Sequence, residues 1–464
     1  MDERFLCRSF QSEAGTPWLY DAVSNRLLRL KGAASREVDI SALKRKLIQR
    51  GQIMSAPPAE SIAYRADLDT YRQCRDGLCA RLTLEITQAC NLRCAYCVYS
   101  GKFPGWRAHG PGSMTMGIAE RAIRQFAHLS RRRSPVSVCF YGGESTLRFD
   151  MIRELTELAR KECRGEVYIH IGSNGTLLND AMMDWIAGTE RVYLDVTMNG
   201  SLHDRFRVFP DGSPSLPLIR QNLRRFHARY PSVAREKLNY ICNGYSWQDM
   251  EALRRDYAQE GIVPAVITSI DAPPNDPSFP PPTEADARAF RRLKWQYIER
   301  DDPFLSALFD AAMLRIHNRD GRPLGDRTII EGTCMPGLTN LFVTWDGSYR
   351  LCEKCAGPEL GTTETGVDWH RAEALMRDYA QMLSARCADC WAQRLCTVCY
   401  RDLSGDGGAL AERVCEGMRQ QVSDDLALYA SICEEAPARL KGFDQAVVAS
   451  FDTLDAALDA AEQA

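Results

Sequence analysis

Three cysteines stand within eight residues in the stretch CNLRCAYC, with Cys90, Cys94 and Cys97 spaced C-x3-C-x2-C. Clustered thiols in such a chain point to metal. A structural zinc site wants four tetrahedral ligands, often as two C-x2-C pairs. A 4Fe–4S cluster has four irons and usually four thiolates, so three thiols leave one iron open to an external ligand. The spacing also allows a zinc site completed by a remote residue, or redox thiols. Eight further cysteines follow at Cys334, Cys352, Cys355, Cys387, Cys390, Cys396, Cys399 and Cys415. Eight thiolates suit two complete cubanes, and they also suit two zinc knuckles. The other seven (Cys7, Cys74, Cys79, Cys139, Cys163, Cys242 and Cys433) are scattered and expected mostly as small buried apolar residues. Cys74 and Cys79, close before the first strand of the main body, are the ones to watch.

Strand and helix signals alternate from Arg81 onward, and these elements must position the thiols. RLTLEIT alternates apolar residues at Leu82, Leu84 and Ile86. PVSVCFYGGE, EVYIHIGSNG, RVYLDVTMNG, KLNYICNG and AVITSID are five more strand candidates, each closing in a polar or Gly-rich turn. Helical stretches such as GIAERAIRQFAHLSRR and FDMIRELTELARKE separate them. Such alternation predicts an α/β fold of parallel strands joined by crossover helices, with chemistry at the C-terminal strand ends. The first cysteine group falls at such an end.

Length and composition bound the rest. A chain of 464 residues implies two or three domains. With 45% hydrophobic and 26% charged residues it reads as ordinary globular protein, and its net charge of -3 gives no bulk preference for nucleic acid or membrane. No apolar run is long enough to span a bilayer, and the charged start MDERFLCRSFQSE lacks a signal-peptide core, so the cytoplasm is the expected compartment. The N-terminal stretch PWLYDAVSNRLLRL reads as two strands about the turn Ser24-Asn25, followed by a helix in DISALKRKLIQRG that stops at Gly51. The expected boundaries are 1–75, a small module; 80–300, the main α/β body; 301–333, a bridge; 334–435, a cysteine-rich domain; and 436–464, a helical tail.

C-x3-C-x-aromatic-C, carried here by Cys90, Cys94, Tyr96 and Cys97, resembles the radical S-adenosylmethionine (SAM) enzymes. The resemblance spans about 80–300 and implies a partial (β/α)6 TIM-like barrel. In that family the open iron binds the methionine part of SAM, which is cleaved to a 5′-deoxyadenosyl radical that abstracts a substrate hydrogen. YGGES resembles the family's GGE motif, so Gly142, Gly143 and Glu144 would meet the SAM amino group; Ser145 stands where proline is usual. GSNGTLL resembles the third-strand segment and nominates Ser173 and Asn174. DVTMNGSLHDRFRVFPDG resembles the next, with Asn199-Gly200 in place of aspartate-glycine. It makes Asp195, His203, Asp204 and Arg207 candidates for the site or for ordering its loop; Asp195 and Arg207 are taken as cofactor contacts with Tyr96.

The C-terminal cysteines, with Gly347 five residues before Cys352, resemble the SPASM extension found on radical SAM enzymes that act on peptides. That resemblance implies three 4Fe–4S clusters in all. Auxiliary cluster I would take Cys334, Cys352 and Cys399, with Cys355 as fourth ligand. Auxiliary cluster II would take Cys387, Cys390, Cys396 and Cys415. The family more often has three residues between the last two cysteines of C-x2-C-x5-C-x2-C, where this chain has two. Glu353 matches an acidic position that takes a proton in some relatives. The N-terminal module resembles the RiPP recognition element, a winged-helix-like binder of leader peptides. Together these imply a maturase acting on a ribosomal precursor peptide with a leader, fed by an external one-electron reductant of flavodoxin or ferredoxin type. It would form a thioether, or a carbon–carbon or carbon–oxygen cross-link. The rivals are a formylglycine-forming sulfatase maturase, a maturase cross-linking an enzyme subunit, and a non-catalytic iron–sulfur or zinc protein.

Overall fold

The computed structural model describes residues 5–30, 40–59, 62–103, 107–273, 276–324, 327–329, 334–355, 357–404 and 409–444. They divide into two compact units, each discontinuous in sequence. One is drawn from residues 69–290 and 334–372, and the other from residues 1–68, 291–333 and 373–450, each as far as they are described. The stretch expected as one auxiliary domain, 334–435, is thus shared between both units.

The first unit is built on six parallel strands: Arg81–Thr87, Val136–Gly142, Val167–Ser173, Val192–Thr197, Leu238–Gly244 and Pro264–Ser269. They are hydrogen-bonded in that order. Helices Met116–Leu129, Phe149–Glu162, Asp180–Gly188, Leu216–Arg229 and Trp247–Glu260 lie between them. The α/β parallel-strand expectation therefore holds. Alternation decides the two faces. Val138, Phe140, Ile169, Ile171, Val192, Leu194 and Val196 are buried, while the residues between them on these three strands keep partial exposure on the opposite, inner face. Two more strands extend the sheet beyond the first: Leu341–Val343 runs parallel to it, and Tyr349–Arg350 returns antiparallel. Their turn contains Asp346-Gly347, with Gly347 at φ +91°.

In the other unit, strands Cys7–Gln11, Pro17–Asp21 and Arg26–Arg29 form an antiparallel meander. The last two flank the expected turn, where Asn25 has φ +53°. The first strand was hidden in the charged opening. Helix Ile40–Gln49 follows. Leu19, Leu47 and Ile53 form the core of this module. Helix Ala409–Glu435 supplies Glu434, which accepts from Trp18 Nε1 and Ser12 Oγ at 2.8 Å each. The expected tail helix is described only to residue 444; the remainder lies outside the described residues. Among the described residues, no helix is long and apolar enough to cross a membrane.

Candidate active site

Cys90, Cys94 and Cys97 sit in the loop after the first parallel strand. Their thiols are close enough to affect one another. Cys97 is pushed up to about 12, first by burial and then by Cys94 and Cys90. Cys90 rises to about 11, chiefly through burial. Backbone N–H groups already point at two of the sulfurs, Leu92 N to Cys90 Sγ and Tyr99 N to Cys97 Sγ, both at 3.4 Å. Such N–H···S contacts stabilise cluster thiolates. Arg93 braces the loop by donating to the carbonyls of Cys90 and Leu92 at 2.8 Å each. A cubane takes each thiolate on a different iron, and soft thiolate donors with N–H support suit such a cluster.

The glycines of YGGES have a nearer reason than approach to a ligand. A Cβ on Gly142 would stand 2.2 Å from the Thr87 carbonyl oxygen, and one on Gly143 would stand 2.2 Å from that of Ala89. Gly143 N donates to Thr87 O at 2.7 Å and Glu144 N to Ala89 O at 2.8 Å. The GGE segment is therefore pressed onto the backbone that leads into Cys90.

Glu144 is buried, with 1% exposure. Its Oε1 accepts from Thr146 N (3.2 Å), Thr146 Oγ1 (2.5 Å) and Ser173 Oγ (2.8 Å), and its Oε2 accepts from Asn174 N (2.7 Å). A carboxylate has about four lone-pair sites, two on each oxygen, so Oε2 keeps acceptor capacity for one more donor. Ser145 uses its hydroxyl to hold the third strand, donating to Gly172 O at 2.6 Å. The side chain of Asn174 is committed to the loop: Nδ2 donates to Asn91 Oδ1 at 2.8 Å, and Oδ1 accepts from Thr176 N and Oγ1.

Arg207 and Cys94 face each other in a two-residue antiparallel ribbon. Arg207 Nη1 donates to Tyr96 OH at 3.1 Å, and Asn199 and Asn243 donate to the same hydroxyl. Burial works against its charge, but Cys94 and Tyr96 hold Arg207 firmly cationic. Its Nε is buried with no partner among the described residues. His203 and Asp204 order this loop. Burial drives His203 down to about 2, so it is neutral, and its Nδ1 accepts from Asn199 N. Asp204 accepts from Ser215 N and Leu216 N at the start of the next helix. Asp195 is occupied elsewhere: its carboxylate meets Asn239 and His170 on the inner face. Its assignment as a SAM contact gains no support from that placement.

The later cysteines fall into two groups. In the barrel unit, Cys352 is raised chiefly by burial and further by Glu353, Cys334 and Cys355. Gly357 N points at Cys355 Sγ at 3.3 Å. In the other unit, Cys387 is pushed up to about 12 by burial and by Cys390, Cys396 and Cys415. Cys399 belongs to that unit too, where Arg401 N donates to its sulfur at 3.3 Å. The charge of Glu353 reaches the inner face: after burial, it is the largest influence raising Tyr141, and it also contributes at Cys139. Cys139, expected as a bland buried residue, faces the inside of the barrel. Sequence reasoning passed over Arg93, Asn239 and His170; the last two belong to the alternating inner face of strands whose pairing the sequence did not reveal.

Residues 84–276 match the radical SAM superfamily family model. The GTP 3′,8-cyclase of Stenotrophomonas maltophilia (strain K279a) is 33% identical over 144 residues, 31% of this chain and 40% of that protein. A cysteine-type anaerobic sulfatase-maturating enzyme of Clostridium novyi (strain NT) is 26% identical over 142 residues, 29% of this chain and 37% of that protein. The chain thus spans less than half the length of either relative. A histidine-tagged anSMEcpe with bound AdoMet superposes with TM-score 0.58 at 19% identity, covering 82% of this chain and 99% of that one. Native anSMEcpe with bound AdoMet and Cp18Cys peptide gives TM-score 0.57 at 18% identity, covering 78% and 98%. These structures share the fold. The family match lies across the three-thiol loop and the buried glutamate at the neighbouring strand end.

Proposed function

We propose that the chain is a radical SAM peptide maturase of the SPASM type, which cross-links a ribosomal precursor peptide. The observation that carries this reading is the joining of the Cys90–Cys97 loop to the Glu144 cradle by backbone hydrogen bonds at adjacent strand ends. When bound, a 4Fe–4S cluster and SAM supply a carbon radical that abstracts hydrogen. The chain's own residues do the rest. Cys90, Cys94 and Cys97 hold the cluster. Glu144 Oε2 receives an ammonium hydrogen, with Ser173 and Asn174 fixing the carboxylate. Arg207 offers its spare Nε–H to an anionic group, and Tyr96 keeps that guanidinium in place. Glu353, directly after Cys352, is a candidate proton acceptor by the family resemblance.

Several further assignments belong to the same reading. Cys334, Cys352 and Cys355 are ligands of one auxiliary cluster, Cys387, Cys390, Cys396 and Cys415 hold the other, and Cys399 is a further candidate ligand. That makes three clusters, reduced by a flavodoxin- or ferredoxin-type carrier. The peptide-bound anSMEcpe neighbour supports a peptide substrate. The leader would add beside the edge strand Cys7–Gln11, which borders a cleft of about 430 Å³ lined by Arg8, Phe10, Gln11 and Asp424. A thioether is slightly favoured as the product. The sulfatase-maturase reading is the second choice, favoured by the Clostridium novyi relative. The test is turnover of a precursor peptide with and without its leader. A leader requirement supports the cross-linking maturase; equal turnover of a short cysteine or serine peptide supports the sulfatase-maturase reading.

A further inference from the structure

Below the strand ends, the inner face of the barrel holds a second polar group. His170 lies on the third strand, Asp195 on the fourth and Asn239 on the fifth. The pairing register places His170 beside Tyr193, and Asp195 beside both Gly172 and Asn239. His170 Nδ1 is 3.3 Å from Asp195 Oδ2 and 3.4 Å from Oδ1, and Asn239 Nδ2 donates to Oδ1 at 2.8 Å. The Tyr193 ring stacks on the imidazole with centroids 5.4 Å apart and planes at 18°, and Tyr168 stacks on Tyr193 at 6.1 Å and 15°. Gly172 contributes no side chain at the level of Asp195, which leaves room there. The side chains of His170 and Asp195 are 28% and 22% exposed, whereas Ile169, Ile171, Leu194 and Val196, which alternate with them onto the opposite face, are at most 1% exposed. The imidazole is thus held by a carboxylate and a ring stack and keeps partial exposure on the inner face.

An imidazole whose Nδ1–H is donated to a carboxylate keeps its lone pair on Nε2. That is the arrangement of an oriented general base. Other ionisable groups near it are Cys139, paired with His170 on the second strand, and Tyr193. Arg81, Asp195 and Glu353 all act on Cys139.

We propose that His170, positioned by Asp195 and Asn239, accepts the proton from the peptide residue that enters the barrel. This rests on the peptide-modifying reading. In the step, an N–H, O–H or S–H bond of that residue breaks, the proton goes to Nε2, and the electron pair stays on the heteroatom. Asp195 is then a positioning residue for His170 and makes no contact with SAM.

The test uses the reconstituted full chain and a pool of synthetic peptides that each carry one cysteine, supplied both as short peptides and fused behind a precursor leader. Iron content, 5′-deoxyadenosine and peptides lighter by two hydrogens are measured for wild type, His170→Ala, Asp195→Asn and Glu353→Gln. The expectation is that His170→Ala and Asp195→Asn keep iron and 5′-deoxyadenosine formation within about twofold while modified peptide falls about 100-fold, the usual scale of general-base loss. Added imidazole restores product to His170→Ala and not to Asp195→Asn. Wild-type levels of modified peptide in His170→Ala overturn the proposal, and so does an equal fall of 5′-deoxyadenosine and product. Loss of product in Glu353→Gln alone gives the proton to Glu353 instead. A wild type that cleaves SAM but modifies no peptide removes the peptide reading and this role with it.

Discussion

Glu144 shows how a single residue serves two ends. Four donors fix its carboxylate, and one acceptor position remains. Replacing it with glutamine turns one oxygen into a donor that faces Thr146 and Ser173, or faces Asn174 N. Glu144→Gln is therefore expected to weaken SAM binding about tenfold or more, because a charge-assisted hydrogen bond is exchanged for a buried donor–donor conflict. Equilibrium dialysis with labelled SAM checks this, and unchanged affinity would remove Glu144 from the SAM site. The sequence made this residue legible because a local motif carries it. It held no sign of the His170–Asp195 contact, since residues 25 apart meet only through strand register. Which side of its strand Cys139 faces is likewise set by alternation within the pair.

Among the elements, the six strands were readable nearly to their ends, because each combines β-branched or aromatic alternation with a polar turn. RLTLEIT matches the first strand residue for residue. The hairpin at 341–350 was not read as part of the sheet, although its Asp-Gly turn is a hairpin signal; nothing local says that it joins the first strand. Helix Leu68–Arg75 and strand Cys7–Gln11 were hidden by charge-rich composition. The loop between the first strand and Cys90 depends on a glycine pair. Gly143→Ala would force a methyl group onto the Ala89 carbonyl, and neither side of that contact is a flexible side chain. The expected cost is about 1–3 kcal/mol, the scale of overpacking, with lower iron incorporation as Cys90 shifts. Denaturant melts beside iron analysis would show it; wild-type values in both would mean that the loop relaxes freely.

For the whole molecule, the described residues form two units, each drawn from segments far apart in the sequence. Contact between distant segments decides this, and no local signal reports it. One consequence concerns pH. Asp425, on helix Ala409–Glu435, is raised from 3.8 to about 6, first by burial, against the opposing pull of Arg315. Its favourable contribution is fully present below pH 3.8 and is lost as pH rises through 6, because folding then requires a buried charge. Asp425→Asn should melt higher than wild type at about pH 8, by up to about 3 kcal/mol of stability, with the gap closing toward about pH 5. Parallel melting curves at the two pH values check this, and a gap that is constant with pH would assign the effect to packing.

The central claim is that three thiols hold a cluster that cleaves SAM. The most direct measurement is iron and acid-labile sulfide per chain after anaerobic reconstitution, for wild type and for a variant with Cys90, Cys94 and Cys97 all replaced by alanine. Reductant-dependent 5′-deoxyadenosine is followed in both. The account predicts about twelve irons falling to about eight, at four per cubane, with SAM cleavage abolished in the variant. Bound zinc in the wild type, or clusters that never cleave SAM, would contradict it.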